Sequence, residues 1–285
     1  FDYVVESDLP LIERATKPYD AIIDRIGWNI SNLIEDGATV ALHVGRVFTA
    51  VAHHLQNKKN LGILTHVVSD WVIDLIASGA ISLDRSRISG GLVTASYCYG
   101  SRALYDYVSR NPIFEFYPLA RLSNPFVVRR IQSLISIMNV KKIDIFGDSV
   151  IFHSGDNLLT GYESKLNFAV AATISKRGKA IVALNSVDRE GRSNIVIRHD
   201  SAADNPHSTL GVVKYIVTEY GVANLFGKSI RERALAMIDI AHPDHRESLL
   251  AQAKAFNYVY PDQIYIARHA ANYPALLETR KTLRG

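Results

Sequence analysis

Glu219 is the carboxylate best placed for chemistry in this 285-residue sequence. It stands in Thr218-Glu219-Tyr220-Gly221, at the end of a strand-like run over residues 215–218. Ligands of open α/β sheets gather outside the C-terminal ends of the strands. Glu219 therefore reads either as an acid facing a ligand or as a buried carboxylate hydrogen-bonded to loop amides. The stretch from Gly221 to Ser229 has the context of a phosphate-cradling loop, with a strand before it and a helix after it. Five residues separate Gly221 from Gly227, where a nucleotide-binding P-loop needs four. That spacing excludes the P-loop. Two readings stay open: a plain turn with a helix cap, or an anion site in which Lys228 and the helix N-terminus hold a phosphate through backbone N–H groups.

Other candidates for chemistry are sparse. His53 with His54, and His242 with His245, have spacings compatible with a metal, yet no carboxylates accompany them in a known ligand arrangement. They read as surface or core histidines. The glycine-rich dinucleotide fingerprint and the nucleophile elbow of serine hydrolases are both missing. Cys98 is the single cysteine, which excludes an intrachain disulfide and a cysteine-based metal site and suits a reducing, cytoplasmic setting.

Composition narrows the classes further. With 48% hydrophobic residues the chain can bury a sizeable core. Its net charge of +4 comes from scattered basic pairs such as Lys58-Lys59 and Arg129-Arg130, not from a block interleaved with aromatics. Nucleic-acid binding is therefore not expected, although a local anionic ligand is compatible. No apolar run approaches the ~20 residues a membrane span requires, and no signal peptide opens the sequence.

Strand-length apolar segments alternate with helical patterns along most of the chain, and these must position any site. Ile22, Ile23, Ile26, Ile30, Leu33 and Ile34 recur at helical spacing, stopped by Asp36-Gly37. Residues 38–44 then read as a buried strand, 47–55 as a helix, 61–65 as a strand and 70–76 as a helix closed by Gly79. Later strands are expected at 92–96, 114–117, 133–139, 180–184, 194–198 and 215–218. Ser229 with Glu232 forms a capping box for a helix reaching about residue 241, and a further helix runs to about residue 256. This alternation predicts an α/β fold: an open, mostly parallel sheet with helices on both faces. Residues 1–18 read as an exit from a preceding region, 19–258 as the domain, and 259–285 as an extension or linker.

Longer strings are more specific. Val217-Thr-Glu-Tyr-Gly-Val-Ala-Asn-Leu-Phe-Gly-Lys-Ser-Ile-Arg-Glu-Arg-Ala234, then Ile240-Ala-His-Pro-Asp-His-Arg246, resembles the signature of the acetyl-CoA hydrolase/transferase C-terminal domain, the coenzyme A transferase family that includes 4-hydroxybutyrate CoA-transferases. Leu61-Gly-Ile-Leu-Thr-His66, Ser69-Asp-Trp-Val-Ile-Asp-Leu75 and the Glu-Phe-Tyr-Pro run after Tyr105 fall in the same order. The resemblance covers roughly residues 20–258. Ser96-Tyr97-Cys98 and the tail around Tyr273-Pro274 look closest to members fused to a downstream GNAT-type acetyltransferase. Residues 1–15 resemble the exit from the family's N-terminal half.

The resemblance implies coenzyme A or acyl-CoA as substrate, no metal, and a glutamate that forms a glutamyl-CoA thioester; it leaves a homo-oligomer open. That glutamate follows the threonine of a Leu-Gly-Ile-His-Thr-Glu pattern, and the matching position here is His66. The family's CoA loop, Gly-Ile-Gly-x-Ile, lies 23 residues earlier and reads His43, Val44, Gly45, Arg46, Val47. A later loop, Ser-Gly-Ile-Gly-Gly-Gln-Leu-Asp-Phe, reads Thr160-Gly-Tyr-Glu-Ser-Lys-Leu-Asn-Phe168, which puts Glu163 and Ser164 at its paired glycines. Glycines let a backbone approach a ligand closely, so Arg46, Tyr162 and Glu163 alter that contact. The expectation is a degenerate site that binds coenzyme A or acyl-CoA with weak or no transferase activity. An alternative is hydrolysis with His66 as general base, whose unperturbed pKa of ~6.5 suits that role. Another is a non-catalytic CoA-sensing or assembly module, and Glu219 as a substitute nucleophile ranks last.

Overall fold

The structure is a computed structural model that describes residues 3–82, 93–150, 162–200, 204 and 212–266, with the side chains of residues 162–164 excepted. The chain begins with α1 (Ala21–Ser31), β1 (Thr39–Ala41), α2 (Arg46–Leu55), β2 (Gly62–Leu64) and β3 (Val67–Val68). It continues through α3 (Trp71–Ala77), β4 (Val93–Ala95), β5 (Tyr97–Cys98), α4 (Arg102–Val108) and β6 (Phe114–Phe116). Two short helices, α5 (Leu119–Leu122) and α6 (Pro125–Val128), precede β7 (Leu134–Asn139), β8 (Lys142–Asp144) and β9 (Ser149–Val150). Then come α7 (Tyr162–Ile174), β10 (Lys179–Ala183), β11 (Ile195–Val196), β12 (Tyr215–Thr218), β13 (Gly221–Asn224), α8 (Ile230–Asp239) and α9 (Pro243–Ala255).

Among the described residues, eight strands form the main sheet in the order β13-β12-β10-β7-β1-β2-β4-β6. Every neighbouring pair is parallel except β12 with β13. The chain first builds outwards from β1 through β2 and β4 to β6. It then returns to lay β7 on the other side of β1, and builds through β10 and β12. Loops after β1 and β7 thus leave the same sheet edge in opposite directions, which opens a crevice at this switch point.

Alternation along the strands divides the interior. Val40, Ile63, Ile135, Ile137 and Ile181 face one core with α1, α2, α3 and α4. Ala41, Leu64, Leu134, Met138 and Val182 face the other with α7, α8 and α9. Helices therefore cover both faces, as the sequence pattern predicts. Asp20 caps α1 by accepting from the Ile23 amide at 2.9 Å. Gly27 lets α1 close on α2, since a Cβ there would meet the Ala50 carbonyl carbon at 2.7 Å.

Three expectations need correction. Residues 221–224 form β13, the antiparallel edge strand, where a turn was expected. Gly221 at φ 141° starts the reversal, and Val222 and Ala223 then pair with Val217 and Ile216. Residues 194–198 contribute only β11, which pairs with β8 in a separate small sheet. The expected strand at 38–44 is shorter, ending at Ala41 so that Leu42 to Gly45 can turn into α2.

Candidate functional site

His43 and His66 leave adjacent parallel strands at the same end of the sheet. By strand alternation both side chains point to the face covered by α7. Their ring centroids are 5.5 Å apart with planes inclined by 28°. Backbone bonds hold His66 in place, its carbonyl accepting from the Ser96 amide at 2.9 Å and the Tyr97 amide at 3.2 Å. The Thr65 hydroxyl donates to the Leu42 carbonyl, tying the two strand ends together. Trp71 Nε1 donates to the His43 carbonyl at 3.0 Å.

Phe168 of α7 closes the site from above, its ring centroid 4.3 Å from that of His66 in an edge-to-face arrangement. Ser123, from the turn between α5 and α6, places its hydroxyl 3.4 Å from His66 Nε2. Both imidazoles are buried, His43 at 3% and His66 at 4% exposure. Among the described residues His43 Nε2 has no hydrogen-bond partner. Burial, and then the nearby Lys165 ammonium, push the His66 pKa down to about 4. His43 is lowered well below its ordinary value by burial, with His66 and Lys165 adding to the effect. Both rings are therefore neutral at physiological pH.

Sequence reasoning missed Lys165. It lies three residues before Phe168, on the same face of α7, and burial lowers its own pKa. It has no ion-pair partner among the described residues. The signal was available, because the resembling loop carries an uncharged glutamine at this position. Sequence reasoning missed Ser123 as well, and no motif surrounds it.

The loop after β1 supplies the second part of the site. Val44, Gly45 and Arg46 wall two adjoining clefts of about 550 and 820 Å³. The larger lies at the switch point and is lined also by Phe48, Asn139, Lys141, Asn185, Arg189 and Arg192. Arg192 is already held by Asp188 at 2.7 Å and Glu190 at 3.1 Å, whereas among the described residues Arg46 meets an acid only at 4.0 Å, in Asp20. Gly45 adopts φ 138°, which side chains rarely tolerate, so the one glycine kept in this loop is required by its backbone. Val47 is buried in the helical core. The backbone of Glu163 and Ser164 lies in the first turn of α7, but their side chains lie outside the described residues.

Glu219 and Lys228 are placed elsewhere. Glu219 follows β12 at the same sheet edge as His66, but four strand spacings away, about 19 Å. Its carboxylate accepts from the Ser186 amide at 3.0 Å and the Ser186 hydroxyl at 2.5 Å. Lys228 follows the antiparallel β13 and so lies at the opposite edge of the sheet. The adjoining helix terminus is closed by its own capping box, in which Glu232 accepts from the Ser229 amide at 2.8 Å. A carboxylate already occupies the place of an anion there. Two of the other histidines have structural partners: His54 meets Asp24 at 2.9 Å and His245 meets the Gly191 carbonyl at 2.8 Å. Among the described residues no group of three or more histidine, cysteine or acidic side chains could hold a metal, and no helix is long and apolar enough to cross a membrane.

Residues 100–253 match the model of the acetyl-CoA hydrolase/transferase C-terminal domain. The chain belongs to this family. It is 38% identical over 254 residues to the 4-hydroxybutyrate coenzyme A transferase of Clostridium kluyveri, covering 89% of this chain and 59% of that protein. The structure of 4-hydroxybutyrate CoA-transferase from Porphyromonas gingivalis is similar at 33% identity and a TM-score of 0.76, over 88% of this chain and 59% of that one. RipA from Yersinia pestis is similar at 29% identity and a TM-score of 0.80, over 90% and 57%. The chain spans about half to three-fifths of the length of three curated coenzyme A transferases it matches. The mostly parallel eight-stranded sheet is the fold of these family neighbours.

Proposed function

We propose that this chain binds coenzyme A or an acyl-CoA at the switch point, and that His66 stands where the family's glutamate would stand. Transferase activity is then weak or absent. One observation carries the reading: a buried, neutral imidazole terminates the β2 loop, the position to which the motif order assigns the nucleophile. A carboxylate can pass through a mixed anhydride to a glutamyl-CoA thioester. An imidazole forms neither. The cleft supports the binding half of the proposal, since apolar side chains and Arg46, Lys141 and Arg189 suit a pantetheine arm and phosphates.

Glu219 is an unsuitable replacement nucleophile, because Ser186 occupies its oxygens and about 19 Å of sheet separates it from His66. Hydrolysis with His66 as general base is the second reading, favoured by the Ser123 hydroxyl that shows where a polar oxygen can approach Nε2. The pKa of ~6.5 on which that reading depended does not survive burial beside Lys165, and at about 4 the ring is a weak base. A cytoplasmic setting, an N-terminal half and a fused acetyltransferase remain parts of the proposal that rest on the sequence alone.

Isothermal calorimetry with coenzyme A and acetyl-CoA, on this chain and on the full-length protein, tests the proposal. Saturable binding lost in Arg46→Glu is expected. Absence of binding in both forms would refute it.

A further inference from the structure

We propose that residues 12–18 form a strap that closes the smaller cleft over a phosphate-bearing ligand, and that Asp70 is the latch that fastens it. This stretch forms no helix or strand, so its place is set by where it is anchored. Among residues 3–20 only Arg14 and Tyr19 are not exposed. Tyr19 packs against the same core as α1, next to the Asp20 cap. Ala15, Thr16, Lys17 and Pro18 lie between these two points, and all four line the cleft of about 550 Å³ that Val44, Gly45 and Arg46 also wall.

The two anchors differ in kind. The Tyr19 end runs directly into α1 and is secured by apolar burial. At the other end the Arg14 amide donates to the Gly100 carbonyl at 2.8 Å, and the guanidinium lies 5.7 Å from the centre of the Tyr99 ring. The Tyr105 hydroxyl donates to the Ile12 carbonyl at 2.6 Å. Asp70 joins the strap to this seat. Its Oδ2 accepts from the Thr16 hydroxyl at 2.9 Å, while its Oδ1 accepts from the Ser101 amide at 3.1 Å and the Ser101 hydroxyl at 2.5 Å. Gly100 permits that approach, because a Cβ there would meet Asp70 Oδ2 at 2.6 Å. A segment secured by a few hydrogen bonds at the surface opens at far lower free energy than the core. Tyr19 is then the hinge and Asp70 the latch.

Charge makes the strap respond to a ligand. Arg14 and Lys17 of the strap line the cleft together with Arg46 and Arg189 of the body, and Asp70 is the one carboxylate among its lining residues. Closing the strap brings like charges together, which opposes closure of the empty cleft. An anion between them reverses the sign. The closed state offers it two cations that the open state withdraws, and this is the differential affinity by which a ligand shifts such an equilibrium. The inference rests on the reading of coenzyme A as ligand in one respect: its phosphates and a free phosphate-bearing anion present the same group.

Hydrogen exchange over residues 12–18, followed by mass spectrometry on the whole chain, reads the strap directly. Thr16→Val and Asp70→Asn should each speed exchange there by about fivefold, the equivalent of one net hydrogen bond, and Thr16→Ser should restore the native rate. Saturating coenzyme A should slow it by roughly tenfold or more. Thr16→Val should bind coenzyme A about fivefold more weakly at an unchanged melting temperature, which a merely structural role would not produce. Inorganic pyrophosphate, added alone, separates the sources. Protection by pyrophosphate assigns the cleft to free anions as well, whereas protection by coenzyme A alone assigns it to the phosphates of the larger ligand. Exchange that neither probe slows would overturn the proposal, as would exchange unchanged in Thr16→Val. Thr16 is exposed, so that variant decides the matter should Asp70→Asn not fold. Calorimetric binding of coenzyme A without protection of residues 12–18 would remove the strap and leave the binding proposal standing. Protection by pyrophosphate without binding of coenzyme A would do the reverse.

Discussion

The His66 ring packs edge-to-face on Phe168, with centroids 4.3 Å apart, and this contact keeps water from the imidazole. Its consequence is a depressed pKa of about 4. In the unfolded chain the same group titrates near 6.5. Between these values the unfolded state holds a proton that the fold excludes.

Stability should therefore rise with pH from about 4 to 6.5 and be flat above that for this group. Full burial of the effect would amount to about 3 kcal/mol, at 1.36 kcal/mol per pKa unit. His43 acts in the same direction. Urea denaturation across pH 4 to 8 measures the slope, and His66→Gln should make it shallower. A slope unchanged in His66→Gln would show that the ring is not desolvated.

Borohydride trapping tests the covalent chemistry. After incubation with acetyl-CoA, the native protein should show no glutamyl-CoA adduct by mass spectrometry. A labelled Glu219 peptide would restore the substitute-nucleophile reading despite the Ser186 bonds. His66→Glu alone should not recover efficient transfer, because His43 replaces the first glycine of the CoA loop and the paired glycines of the later loop are replaced by Glu163 and Ser164.

Phe168→Ala should cost about 3–5 kcal/mol, the usual penalty for emptying a fully buried aromatic site. The variant should also raise the His66 pKa towards ~6.5, since water then reaches the ring. Proton NMR titration of the imidazole reads the second effect independently of stability. A large loss of stability with an unmoved pKa would assign the depression to Lys165 rather than to burial.

Much of this arrangement was legible in the residues. Period-3.6 isoleucines announced α1, and short β-branched runs announced β2, β7, β10 and β12, because each segment's own pattern agrees with its burial. Glu219 was visible as a strand-end acid, and one of its two readings was a buried acceptor. β13 was not legible: Gly221 and Asn224 flank only two apolar residues, and pairing with β12, a tertiary event, makes that run a strand. Lys228 looked like an anion ligand because sequence does not reveal that an antiparallel return carries it to the far edge. Lys165 was signalled only by its departure from the glutamine of the resembling loop. A lysine in a helix is ordinarily solvated, and only the packing of Phe168 onto His66 brings its charge into the site.

Hydrolysis decides what His66 does. A base with a pKa of about 4 is already neutral above pH 5, so a His66-dependent rate would rise through pH 4 and stay level from pH 5 to 8. General-base catalysis would supply ~10²–10⁴-fold, all of it lost in His66→Ala. One feature opposes it, and one limits it. Lys165 disfavours the imidazolium that must form as the proton arrives, and the Ser123 hydroxyl that marks the approach to Nε2 would have to yield its place to water. The expected result is acetyl-CoA hydrolysis no faster than in buffer, unchanged in His66→Ala. A level pH profile whose rate disappears in His66→Ala, measured by thiol release, would establish the hydrolase instead.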